Sequence, residues 1–274
     1  MATATLHDGS RIEVLVRGDG PALLLPVNPH PVEGPQAEVL RQYGADPSLG
    51  HSLIEGLADV ARVVAFDYEG HVLAVPKPDT LTPDNVVADL LAVADAAGAD
   101  RFVYYGYSWL ATVGLQSALR SDRLDGLAMG GWPPIDGPYA EMLRTTIAGY
   151  ELAIGTREPG GADDPWGTTG LSGDQSRQFV TLYRALEGFD DRAALARITG
   201  PRLCLVGSAD EIDYGPTWGD VHVSIGGAVV RNRRLLEAAG WRVEVFDGLD
   251  HMGAMQADRV VPPLRSWLSS FAAG

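Results

Sequence analysis

Short apolar runs of strand length return along the chain with helical patterns between them, and no other feature constrains the fold as much. In runs such as ALLLPV (22–27) and RLCLVG (202–207) nearly every residue is apolar. A strand of that kind has to be covered on both faces, which predicts a mainly parallel sheet flanked by helices, an α/β layer architecture. Strands are expected at Arg11–Arg17, Ala22–Val27, Arg62–Phe66, Arg101–Tyr107, Gly126–Gly131, Arg202–Gly207 and Arg242–Asp247. A helix is expected from Pro83 to Ala97: Thr82 can cap it, Pro83 suits its first position, Val86, Leu90 and Val93 recur at helical spacing, and Gly98 ends it. Another should start directly after Ser108, where WLATVGLQSAL is apolar nearly all round and so belongs in the interior. A last amphipathic helix carries Val260, Leu264, Trp267, Leu268 and Phe271, with Pro262 and Pro263 expected in its first turn, where their missing N–H groups do no harm.

One region breaks the alternation. From Asp136 to Thr199 no strand is expected, and two helical patterns (Tyr139–Ile154 and Gln175–Glu187) flank a polar loop. That reads as a helical cap, residues 136–199, inserted into one α/β core made of residues 1–135 and 200–274. The stretch from Ile212 to Gly227 is expected to be a long loop leading to a helix that ends at Gly240.

Charge narrows the partners. With 21 Lys+Arg against 36 Asp+Glu the formal net charge is −15, which disfavours nucleic acid and anionic membrane surfaces. No apolar run is long enough to span a membrane, the start MATATLHDGS does not look like a leader, and Cys204 stands alone, so a soluble cytoplasmic protein is expected. Phosphate-binding glycine motifs and zinc-ligand spacings are absent; neither a cofactor nor a metal is expected.

The sharpest chemical segment is YYGYSWLA (104–111), where an apolar strand hands over to a buried helix. A serine on such a tight turn is pushed toward solvent, and Gly106 leaves the backbone room, making Ser108 a candidate nucleophile. Here, and in LLLPVNPHP (23–31), FDYEGH (66–71), LVGSADEID (205–213) and FDGLDHMGAMQ (246–256), nearly the whole chain resembles the α/β-hydrolase family. It departs in two places: Leu110 stands where the family's elbow has its second glycine, and Pro26-Val27 replaces the usual His-Gly.

The resemblance implies an α/β-hydrolase-like sheet with an inserted helical cap, and a catalytic Ser108, His251 and acid. Asp210 fits the acid's place after its strand best, with Asp213, Glu211 and Asp136 as alternatives; His71 is expected to be structural. It also implies oxyanion donors at Trp109 and at Val27 or Asn28, Pro26 having no N–H to give. Trp132, Trp166 and Trp218, with Tyr107, Tyr105 and Met252, are expected to line an apolar pocket at the carboxyl end of the sheet. The expected activity is hydrolysis of an ester, thioester or lactone of an apolar small molecule. Two alternatives stand beside it: acyl transfer, carbon–carbon cleavage, lyase or cyclase chemistry on the same fold, and a non-catalytic small-molecule receptor. A homodimer is a candidate assembly.

Overall fold

The computed structural model describes residues 2–161, 164 and 170–271. Its strands are β1 (Ala2–Thr5), β2 (Arg11–Arg17), β3 (Ala22–Leu25), β4 (Arg62–Ala65), β5 (Phe102–Tyr107), β6 (Leu124–Gly130), β7 (Arg202–Gly207), β8 (Glu211–Tyr214), β9 (Val221–Ser224) and β10 (Trp241–Phe246). The helices are α1 (Pro35–Gln42), α2 (Leu49–Leu57), α3 (Tyr68–Ala74), α4 (Pro83–Ala96), α5 (Trp109–Arg120), α6 (Tyr139–Ala153), α7 (Gly173–Ala185), α8 (Asp191–Leu195), α9 (Gly226–Ala238), α10 (His251–Ala254) and α11 (Ala257–Leu268). Eight strands form one sheet in the order β1-β2-β4-β3-β5-β6-β7-β10. β2 pairs antiparallel with β1 and β4, and the remaining pairs are parallel.

Burial on both faces explains why these strands are apolar throughout. Leu24 of β3 packs with Val64, Tyr104, Met129 and Cys204 on the face covered by α4 and α5, whereas Leu23 and Leu25 pack with Val63, Val103, Ala128 and Leu203 beneath α2 and α11. α4 starts as its sequence predicts, with Thr82 Oγ1 accepting from the Asn85 N–H and Pro83 in the first turn. Among the described residues no helix is long and apolar enough to cross a membrane.

One strand was not expected, and two expectations need correction. β1 has no apolar run of its own; its strand state comes from pairing with β2, from Ala2 opposite Val14 to Thr5 opposite Arg11. The expected loop after Asp210 is partly ordered as the antiparallel hairpin β8–β9, with Ile212 opposite Val223. Pro262 and Pro263 lie inside α11, beyond its first turn. The carbonyls they leave without helical donors belong to Asp258 and Arg259, which are exposed, so water can take the place of the lost bonds.

Between β6 and β7 the described residues form α6, α7 and α8 and no strand, and α6 packs along α7. Trp166 lies outside the described residues. A capping box starts α7: Ser172 Oγ accepts from the Gln175 N–H, and Gln175 Oε1 accepts from the Ser172 N–H. The helix is then fastened to α3 and the segment after it through side chains. Buried Gln178 donates to the Val72 carbonyl at 3.0 Å and accepts from the Lys77 N–H at 3.0 Å, and Thr181 Oγ1 donates to the Pro78 carbonyl at 2.6 Å. Gln178→Leu should leave both of those backbone groups unsatisfied at a cost of about 1–3 kcal/mol each, lowering the urea midpoint without changing the slope of the transition.

Candidate active site

The parallel strands deliver their carboxyl ends to one edge of the sheet, where ligands bind in open α/β folds. Pro26–Asn28 follow β3, Asp67–Glu69 follow β4, Ser108 follows β5, Trp132 follows β6, Asp210 follows β7 and His251 follows β10.

Ser108 has φ 56° and ψ −129°, a conformation that costs a non-glycine residue about 1–3 kcal/mol and persists only when its surroundings enforce it. They do so here. Its N–H donates to the Gly130 carbonyl at 2.8 Å and its own carbonyl accepts from the Ala111 N–H at 2.9 Å. A Cβ at Gly106 would stand 2.5 Å from the Leu110 carbonyl oxygen, which also accepts from the buried Tyr104 hydroxyl at 2.8 Å. Leu110 lines a cavity, and Gly114, one turn further along α5, makes the close helix–strand approach: a Cβ there would lie 2.6 Å from the Tyr104 ring.

His251 opens α10, with Asp250 at the N-cap accepting from the Gly253 N–H at 2.7 Å. Its Nδ1 lies 2.9 Å from Oδ2 of fully buried Asp210. Oδ1 of Asp210 has no hydrogen-bond partner among the described residues, so the imidazole is this carboxyl's one side-chain contact of that kind. The Asp210 carbonyl is held separately by the N–H groups of Ile225 (3.1 Å) and Gly226 (2.8 Å) at the far end of the β8–β9 insertion. Tyr107 donates its hydroxyl to the His251 carbonyl at 2.7 Å, and burial, reinforced by the Asp210 charge, pushes that phenol up so that it stays a donor. Gly131, at φ 58°, leaves space for both rings; a Cβ there would be 2.5 Å from Tyr107 and 2.9 Å from His251 Cε1.

The other acids are engaged elsewhere. Asp213 and Glu211 face the two ring nitrogens of His222 at 2.6 and 2.9 Å, and Asp136 pairs with Arg192 at 2.6 Å. His71 Nε2 meets Ser10 Oγ at 2.9 Å, in a cluster with buried Lys77 and Asp8.

Ser108, His251 and Met252 sit where two cavities meet. The first, of about 440 Å³, is walled by Val27, Leu40, Leu49, Leu53, Tyr107, Trp109 and Met255, with Asn28 and Glu69 as polar members. Tyr105 also lines it. The second, of about 470 Å³, lies between Trp132, Met142 of α6 and the hairpin residues Ile212, Tyr214 and Val223. Ser108 and His251 share both walls but make no hydrogen bond to each other. Trp218 lies in neither wall; it is buried in a single 3₁₀ turn, Pro216–Trp218, that packs against α6.

Of the two expected loop donors, Val27 turns its N–H back onto the Leu25 carbonyl at 2.9 Å, which leaves Asn28. On the helix side, the N–H of Trp109, the first residue of α5, has no intrahelical acceptor. The Trp109 indole packs between a tilted Tyr68 (centroids 6.1 Å apart) and an edge-on Phe179 of α7 (5.4 Å), and its Nε1–H points at Glu69 Oε1, 3.3 Å away. Glu69 keeps accessible surface because it faces the cavity, yet the protein packed around its carboxyl, with Asp67 nearby, pushes that group above the ordinary glutamate value.

Glu69 and the α1–α2 wall are what sequence reasoning missed. Glu69 stood in the FDYEGH segment as a charged residue directly after a buried strand, a readable signal overshadowed by His71. α1 and α2 start after Gly34 and Ser48, neither of which makes a side-chain cap hydrogen bond, although Pro35 in the first turn of α1 and Ser48 before α2 were readable start signals.

The carboxylates beside exposed His222, Asp213 first and then Glu211, raise its affinity for a proton. A group raised in the folded state stabilises it below the ordinary histidine value, and that contribution is lost as pH rises through the raised one. An NMR titration should therefore place the His222 midpoint above that of a free histidine, and Asp213→Asn should bring it down.

No protein-family model and no curated protein matches the chain. Solved structures do. An esterase from Thermogutta terrifontis is 18% identical, with 98% of this chain and 97% of that one covered and a TM-score of 0.64. An enol-lactonase from Burkholderia xenovorans is 19% identical over 97% and 99% of the two chains, with a TM-score of 0.63. A protein that recognises and cleaves the ring of the Pseudomonas quinolone signal is 14% identical over 98% and 100%, with a TM-score of 0.61. These likenesses establish the fold: the chain is built on the α/β-hydrolase plan.

Proposed function

We propose that the protein is a serine hydrolase that cleaves an ester, thioester or lactone of a largely apolar small molecule. The observation that carries this reading is the enforced turn at Ser108 in the same cavity walls as an imidazole whose Nδ1 is held by a buried carboxylate. Ser108 Oγ attacks the carbonyl carbon while His251 Nε2 takes its proton, and Asp210 holds the imidazolium that results. The N–H groups of Asn28 and Trp109 receive the oxyanion. His251 then returns the proton to the leaving oxygen or sulfur, and a water activated by the same nitrogen releases the acid from Ser108. No residue in this sequence of steps requires a metal ion. Residues 136–199 act as a cap, with Met142 contributing to the wall of the second cavity.

A fluorophosphonate should label Ser108 in the folded protein, as read by peptide mapping; an unlabelled Ser108 would sink the proposal. Ser108→Ala should abolish labelling, and Asp210→Asn should lower turnover on a responsive ester by about 10³-fold or more.

The missing Ser108–His251 hydrogen bond favours one second reading, in which His251 serves as a base for chemistry that forms no acyl-enzyme. Apo catalytic contacts often tighten only when substrate binds, so the hydrolase reading ranks first. The two part on Ser108→Ala, which keeps most turnover under the second reading and loses it under the first.

A further inference from the structure

The two cavities that meet at Ser108 are apolar with an acidic rim, and no lysine or arginine lines either of them among the described residues. Six carboxyl groups do line them: Asp46, Asp67 and Glu69 in the first, Glu211, Asp213 and Asp250 in the second. Five already have structural work. Asp46 accepts from the Ser48 N–H at 2.8 Å, Asp67 from the Gly70 N–H at 2.9 Å and Asp250 from the Gly253 N–H at 2.7 Å, each shaping a turn or a helix start. Glu211 accepts from Ser224 Oγ at 3.0 Å and also faces His222, as does Asp213.

Glu69 differs from them. Its one hydrogen bond among the described residues is the 3.3 Å contact from the Trp109 indole, to Oε1. It shapes no turn and faces no cation, yet it is fixed in the wall of the cavity that holds the nucleophile, next to an indole clamped by Tyr68 and Phe179. Glu69 is open to the cavity and no cation stands beside it among the described residues, so a positively charged group of a ligand can reach it directly. With a formal net charge of −15, the molecule's own field also draws cations toward such a cleft.

We propose that the first cavity takes substrates carrying a protonated amine on an apolar body, with Glu69 as the counter-charge. The ammonium donates to Glu69, whose Oε1 also accepts from the Trp109 indole, and Leu49, Leu53 and Met255 cover the alkyl or aromatic part. This deepens the hydrolase reading by naming the substrate class; the site for the cation itself stands on Glu69 and can be tested apart from catalysis.

The test is calorimetric titration of the intact chain with n-hexylammonium and, separately, with n-hexanol at mildly alkaline pH, for the native protein, Glu69→Gln and Glu69→Asp. The expected result is that hexylammonium binds the native protein more tightly than hexanol, that Glu69→Gln weakens the ammonium by roughly tenfold or more while leaving hexanol unchanged, and that Glu69→Asp retains part of the preference. Equal binding of the two probes by the native protein overturns the proposal, as does an ammonium preference that survives in Glu69→Gln. If that variant does not fold, the native comparison and Glu69→Asp decide. Fluorophosphonate labelling of Ser108 in the same samples separates the two readings. Labelling without an ammonium preference leaves the hydrolase and removes the cation site; the preference without labelling does the reverse.

Discussion

Burial of the central strands on both faces is the constraint from which the rest follows. Leu23, Leu24 and Leu25 are all inaccessible, as are Val63, Val64 and Ala65 beside them, so these side chains cannot meet a ligand. Polar chemistry is confined to the residues just past the strand ends, and parallel pairing sends those ends to the same edge. Ser108, Asp210 and His251, far apart in the chain, become neighbours because each is the next step after a strand of one parallel set. The strain at Ser108 is tolerated for the same reason: its N–H is held by Gly130, the last residue of the adjoining strand, within a rigid frame.

What was legible in the chain tracks this frame. The bounds of β2 and β7 and the cap of α4 follow from local signals, namely apolar runs and a Thr-Pro start, and the structure agrees with them. Ser108 was singled out from a strand–turn–helix junction, and Asp210 and His251 from the resemblance to the α/β-hydrolase family, none of them from a contact visible in the sequence. The contacts themselves were not legible. Nothing local says that Val27 will spend its N–H on Leu25, that Asp213 will face His222, or that Trp218 will turn against α6. β1 and the β8–β9 hairpin escaped for a related reason, since short, half-exposed strands owe their state to a partner rather than to their own composition.

The aromatic residues show how the helical excursion and the core are joined. Trp109 lines the first cavity, and its indole is also where two other helices meet α5: α3, through Tyr68 and the carboxyl of Glu69, and α7, through Phe179. Tyr107 likewise has two parts, giving its ring to the cavity and its hydroxyl to the backbone of His251. Side chains that combine wall and brace in this way tie the shape of the cavity to the positions of His251 and Glu69.

The β8–β9 insertion has the opposite character. It leaves the chain at Glu211 and returns at Ile225 and Gly226, whose N–H groups close onto the carbonyl of Asp210. Both ends of the excursion are therefore anchored at a single residue, and the backbone of the acid is secured whatever lies between them. Such an arrangement makes the hairpin a replaceable part. Its length and side chains can be exchanged, and with them one wall of the second cavity, while the carboxylate that steadies His251 keeps its place. A designer wishing to admit a different molecule would have a ready-made port there at which to cut and splice.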